Sequence, residues 1–251
     1  MSYPTTNYFQ ATRHPYACLL FLLPLLAIYE GGVIYVGGDN PAFRTGADTW
    51  MRWAFQTFGL PALHWPPILI TGLFAFWTWL HWETRPQDLP GVLLGMTVES
   101  VGYALILWAL GRIHEPILEG LGIALAQAVP LQTLLQSSAA PDRVSQAISF
   151  LGAGIYEEML FRLFLYSGLF YVIQHSVPSR LTSGVVAGVL SALAFSAAHH
   201  LGPSGEPLDQ RVFLFRTLAG LFFVLLYQLR GFGIAVGAHA CYDVMVGAAA
   251  G

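Results

Sequence analysis

Hydrophobic positions run along this chain in long blocks, broken by short polar segments. Seven blocks are long and apolar enough to cross a bilayer, at about 16–37, 66–82, 89–110, 144–173, 183–200, 212–229 and 232–250. Between the first two, Trp50–Leu60 (WMRWAFQTFGL) has the composition of a helix lying in the membrane interface, with Trp50, Trp53 and Phe58 as belt residues. Residues 117–136 are apolar but diluted by Glu119, Gln127, Gln132 and Gln136, which predicts an interfacial or re-entrant segment, with an eighth span as the alternative. The pattern therefore predicts an all-α, polytopic transmembrane helical bundle of about seven or eight spans, plus one or two interfacial helices.

Composition agrees with that pattern. Of 251 residues, 55% are hydrophobic and only 10% charged, against about 25% charged in a soluble domain. No linker, repeat or low-complexity tract divides the chain, so residues 1–251 read as one integral membrane domain, multi-pass, in the cell membrane if prokaryotic. The first apolar block is too long for a signal-peptide core and is expected to remain as an uncleaved span. Arg residues divide four against five between the two sets of loops, so orientation is left open.

Charge type removes several function classes. The net charge is -3 and no basic run occurs, which argues against a nucleic-acid partner. Every basic residue is an arginine, so Schiff-base or Ser/Lys chemistry has no amine to use. Cys18 and Cys241 sit in apolar blocks without a CxxC partner and read as small buried or lipid-facing side chains.

Seven charged residues fall inside the blocks: Glu30, Glu99, Glu157, Glu158, Arg162, Arg216 and Asp243. An ionisable group at membrane depth costs several kcal/mol, so each one calls for a partner or a cavity. Three come from one stretch, GAGIYEEMLFRLFLY. There Glu158 and Arg162 are four apart on a helix, acid first, which predicts a pair. Glu157 lies about 100° around the same helix and is expected to face a polar cavity, where a partly desolvated carboxylate suits acid/base work. Two further blocks add His199, one turn after Phe195, and His239 with Asp243 at i and i+4. Both contain GxxxG, at Gly184/Gly188 and Gly233/Gly237, which predicts close helix packing. His200 is out of phase and is placed outside the site, as are His14, His64, His81, His114 and His175. Glu99 is expected to reach the cavity or to pair with Arg216. A transporter is the competing class, since Glu30, Glu99 and Arg216 could line a solute path.

The ordered set EExxxR (Glu157, Glu158, Arg162), FxxxH (Phe195, His199) and HxxxN/D (His239, Asp243) resembles the CAAX-protease and bacteriocin-processing family, the type II CAAX prenyl endopeptidases and their prokaryotic relatives. The motif-bearing core is 144–250. The resemblance implies an intramembrane endopeptidase acting on a membrane-associated peptide or protein, lipidated or not, by CAAX-type or C-terminal tail processing. It implies that Glu157 and His199 activate a water, that Glu158 with Arg162 orients the site or engages substrate, and that His239 and Asp243 lie near the developing oxyanion. An ionised Asp cannot donate to an oxyanion, so Asp243 is expected to orient His239 instead. No HExxH occurs and one acid is committed to Arg162, which favours a glutamate mechanism without a cofactor; the alternative is zinc held by Glu157, His199 and His239. A non-catalytic family member acting in immunity or as a scaffold would keep the same residues for structure alone. Aspartyl and serine intramembrane proteases are disfavoured: Tyr242–Asp243 has no GxGD companion, and Gly202–Gly205 reads as a polar turn.

Overall fold

A computed structural model describes residues 7–37, 44–61, 63–120, 122, 143–201 and 205–250. Among the described residues ten α-helices follow one another: α1 (Tyr8–Ala11), α2 (Pro15–Gly37), α3 (Gly46–Thr57), α4 (Trp65–Leu80), α5 (Leu89–Gly120), α6 (Arg143–Glu158), α7 (Ser167–Ser176), α8 (Arg180–Ala198), α9 (Gln210–Arg230) and α10 (Phe232–Ala250). A π-helical segment, Met159–Tyr166, joins α6 to α7 without a break. No strand occurs among the described residues. Helices α2, α5, α8 and α9 are long and apolar enough to cross a membrane, and α4 and α10 are shorter apolar helices. The chain is an integral, multi-pass membrane protein. Residues 117–120 continue α5, whereas the remainder of the 117–136 segment, Gly122 apart, lies outside the described residues.

Helix α10 is the centre. Residues 231–240 (GFGIAVGAHA) are all buried, and a helix buried all round must be small or apolar on every face. It packs against α2, α5, α6 and α9. Sharp entry from α9 uses Gly231 at φ 96°, whose N–H reaches the carbonyls of Leu226 and Tyr227; an L side chain is strained at that angle. Around this centre, α8 lies on α9 and on α7, and α2 lies on α4 and α6.

Close approach is made at one of the two GxxxG pairs and at glycines outside both. A Cβ at Gly154 would meet the Ala240 backbone nitrogen at 2.8 Å and the Val236 carbonyl at 2.9 Å, and one at Gly220 would meet the Ala192 Cα at 2.9 Å. Gly233 and Gly237 do sit tightly against Met96 and Ser100. Gly184 and Gly188 do not: their nearest neighbours would be at ordinary contact, 3.6 and 3.4 Å. Two glycines four apart mark a helix that can be approached, but only the neighbour's position decides which of them is.

Helix α3 departs from a simple belt helix. Trp53 and Phe58 are exposed as expected, yet Asp48 and Arg52 on its inner face are buried. Arg44 and Arg52 bridge Glu30 and Asp48 at 2.7–3.1 Å. Tyr29 donates to Asp48 at 2.8 Å and Tyr156 to Glu30 at 2.5 Å. Burial alone would favour neutral Arg44, but the Asp48 and Glu30 carboxylates outweigh it and raise its pKa.

Packing around α10 gives a direct expectation. Gly154→Ala should destabilise the protein by about 1–3 kcal/mol through overpacking against backbone, whereas Gly184→Ala should leave stability within about 0.5 kcal/mol of the parent. Thermal unfolding in detergent reads both, and equal losses would contradict the packing described.

Candidate active site

The catalytic candidates sit on three elements drawn together by α10. Helix α6 ends at Glu157 and Glu158, and its helical turns widen into the π-segment that carries Arg162. Such widened turns recur at functional sites. Ser167 donates to the Arg162 carbonyl through its backbone N–H and also through its hydroxyl, at 3.1 Å. Despite the widening, Arg162 Nη1 lies 3.1 Å from Glu158 Oε1, the pair expected from the i, i+4 spacing.

Both members of that pair are fully buried. An ion pair out of water is tolerated only with good geometry and further partners. Arg162 Nη2 donates to the Gly220 carbonyl at 3.3 Å, and the guanidinium stands 4.3 Å from the Phe195 ring centroid and 5.3 Å from that of Phe223. Attraction between the cation and the ring faces offsets part of its lost hydration. Gly220 serves twice, bringing α9 onto α8 and offering its carbonyl.

Glu158 also holds a histidine. Its Oε1 accepts from His239 Nδ1 at 2.8 Å, and Phe223 stacks on the imidazole at 4.5 Å with an interplanar angle of 18°. A carboxylate can only accept, so Nδ1 carries the hydrogen and Nε2 is turned to the other side. There it lies 3.8 Å from Glu157 Oε2 and 3.5 Å from Asp243 Oδ2. The contact that fixes the ring is therefore Glu158's; Asp243 meets the opposite nitrogen.

His199 caps α8. Its Nδ1 donates to the Phe195 carbonyl at 2.8 Å, so Nε2 presents a lone pair, 3.7 Å from Glu157 Oε2. The side chains of Glu157, His199 and Asp243 retain 13%, 24% and 23% exposure, in contrast to the sealed Glu158 and Arg162. All six candidates, Glu157, Glu158, Arg162, His199, His239 and Asp243, thus meet at one place, in an outer accessible group and an inner buried one. His200 turns away to the Glu206 carbonyl at 3.0 Å. His14, His81, His114 and His175 bind backbone carbonyls elsewhere.

Three features escaped the spacing. Phe223 has no polar signature, and only its stacking on His239 reveals it. Glu99 does not pair with Arg216: it binds Arg230 through two contacts of 2.7 and 2.6 Å. Arg216 instead meets Glu206, which precedes α9, with two contacts of 2.9 Å. Burial works to raise the Glu206 carboxyl, but the hydrogen bond and charge of Arg216 outweigh it and hold it below the usual carboxylate range. Glu30, Glu99 and Arg216 are thus each paired with a residue outside the three motifs.

Zinc would require at least three His, Cys, Asp or Glu side chains set around one point. Among the described residues no such group is set in place, and Glu157 Oε2 lies 3.7 and 3.8 Å from the Nε2 atoms of His199 and His239.

Comparison with known proteins places these residues. A family model described as type II CAAX prenyl endopeptidase Rce1-like matches residues 142–245, under half of the chain but including every motif residue. No curated protein and no solved structure matches the chain significantly. Residues 142–245 are therefore similar to the Rce1-like family of type II CAAX prenyl endopeptidases.

Proposed function

We propose that this protein is an intramembrane endopeptidase that hydrolyses a peptide bond near the C-terminal tail of a membrane-associated substrate, using a water activated by Glu157 and His199. The observation that carries the reading is the placement of Glu157 Oε2 between two imidazoles, 3.7 Å from His199 Nε2 and 3.8 Å from His239 Nε2. Glu157 and the neutral His199 Nε2 are both acceptors. One water can serve both by donating a hydrogen to each, which aims its oxygen lone pair away from them.

Attack follows from that orientation. As the oxygen bonds to the scissile carbonyl carbon, its proton passes to Glu157, and the carbonyl oxygen takes the negative charge. Collapse of the tetrahedral intermediate breaks the C–N bond, and the proton held by Glu157 moves to the departing amine. His239 faces this space with Nε2, which donates to an oxyanion when the ring is protonated. Glu158 and Arg162 act behind it, holding the ring through Nδ1. Asp243 steadies the same ring from Nε2, a role an amide can share.

An apolar groove of about 360 Å³ between α5 and α9 supports a lipidated substrate. Leu107, Ile113, Leu214, Leu218 and Phe222 line it with Phe215, whose ring lies 6.3 Å from that of Tyr242, the residue before Asp243. A hydrocarbon chain held there would bring its attached peptide to the polar site.

Three outcomes test this reading. Glu157→Gln at normal protein level should lower cleavage of a prenylated or unmodified tail peptide by roughly 10²–10⁴-fold; undiminished cleavage would remove Glu157 from catalysis. Asp243→Asn should keep most activity and Asp243→Ala lose most of it, and an equally active Ala variant would refute the steadying role. Purified protein treated with a chelator should retain its rate, whereas loss restored by added zinc would replace the glutamate mechanism with a metal one.

A further inference from the structure

We propose that Arg216 anchors the terminal carboxylate of the substrate, and that Glu206 occupies this anchor when no substrate is bound. The inference rests on the peptidase reading above and names a residue outside its three motifs.

Placement comes first. The Glu206 backbone N–H donates to the carbonyl of His199 at 2.9 Å, and the Glu206 carbonyl accepts from His200 Nδ1 at 3.0 Å. The strand of coil bearing Glu206 is therefore tied to the end of α8 that carries the candidate base. Its carboxylate meets Arg216 with Nη2–Oε1 and Nη1–Oε2 both at 2.9 Å.

Charge balance gives the reason for an anchor. Glu157, Glu158 and Asp243 surround the imidazoles, and Arg162 is sealed against Glu158. A peptide with a free carboxylate a few residues beyond its scissile bond would enter a field of like charge. Arg216 is a cation beside this group whose side chain is 21% exposed. A guanidinium fork matches a carboxylate in shape as well as charge.

Glu206 is suited to give way. Its side chain is 48% exposed, and a pair of that kind contributes only about 0–1 kcal/mol. The pair is also imperfect: Nη1 is buried and, although near Oε2, makes no aligned hydrogen bond. Exchanging one carboxylate for another leaves the local charge unchanged, so the swap costs little beyond moving Glu206 into water.

The test uses the full-length protein in nanodiscs and two tail peptides that differ only in ending as a carboxylate or a carboxamide. Dissociation constants are measured by fluorescence polarisation in a Glu157→Gln background, where no turnover is needed, and KM values in the catalytic protein. The carboxylate peptide should bind about tenfold or more tightly than the amide, as a lost charge-assisted bond implies. Arg216→Gln should bring that ratio close to one, Arg216→Lys should retain part of it, and Glu206→Gln should enlarge it severalfold. An unchanged ratio in Arg216→Gln, or no preference in the parent, overturns the anchor. Affinity that follows the anionic lipid content of the nanodisc and ignores the peptide terminus also overturns it, assigning Arg216 to headgroups. If the parent cleaves neither peptide yet binding shows the stated preference, the hydrolase reading fails and the anchor stands.

Discussion

Everything at the site depends on a carboxylate held between a guanidinium and an imidazole where water cannot reach. Glu158 Oε1 is 3.1 Å from Arg162 and 2.8 Å from His239. Breaking such a buried pair by removing one partner costs about 3–5 kcal/mol, because an uncompensated charge is left behind. That penalty is also what makes the arrangement specific. Arg162 needs the Gly220 carbonyl and the faces of Phe195 and Phe223, so α6, α8 and α9 must come to fixed positions before the charge is satisfied. The His239 ring is then set by Glu158 on one edge and by Phe223 on one face.

Backbone proximity makes this possible. Helix α10 brings His239 to Glu158 because Gly154 lets α6 approach Val236 and Ala240 closely, and α9 brings Gly220 to Arg162 because that glycine lies against Ala192. Larger residues at either place would move a helix away from an interaction whose length is below 3.5 Å. Membrane proteins gain little from hydrophobic association between helices, so close packing and interhelical hydrogen bonds carry more of the specificity. The two come together here at the same residues.

Much of this was legible in the sequence. Each of the seven apolar blocks contains a helix, and the i, i+4 rule was sufficient to pair Glu158 with Arg162, since both partners lie in one helical run. Pairing across helices was not legible. Glu99 on α5 finds Arg230 at the end of α9, and Arg216 finds Glu206 in the coil before its own helix, and no spacing encodes either. Glu30 is held by two arginines of the α3 region, whose charged face turns inward because a bundle, rather than water, lies beneath it. The widened π-turns after Glu158 and the choice among glycines likewise depend on neighbours. Phe223 shows the same limit from the apolar side: in sequence it is one more phenylalanine in a span.

An inner group fixes the geometry, and in the proposed mechanism Glu157 of the outer group activates water and is never itself acylated. A single turnover in H₂¹⁸O tests that assignment. Label should enter the newly formed peptide carboxylate while the Glu157 carboxylate, read by mass spectrometry of the recovered enzyme, stays unlabelled. Appearance of ¹⁸O in Glu157 would mean that a covalent anhydride had formed there and been hydrolysed, and would contradict the mechanism.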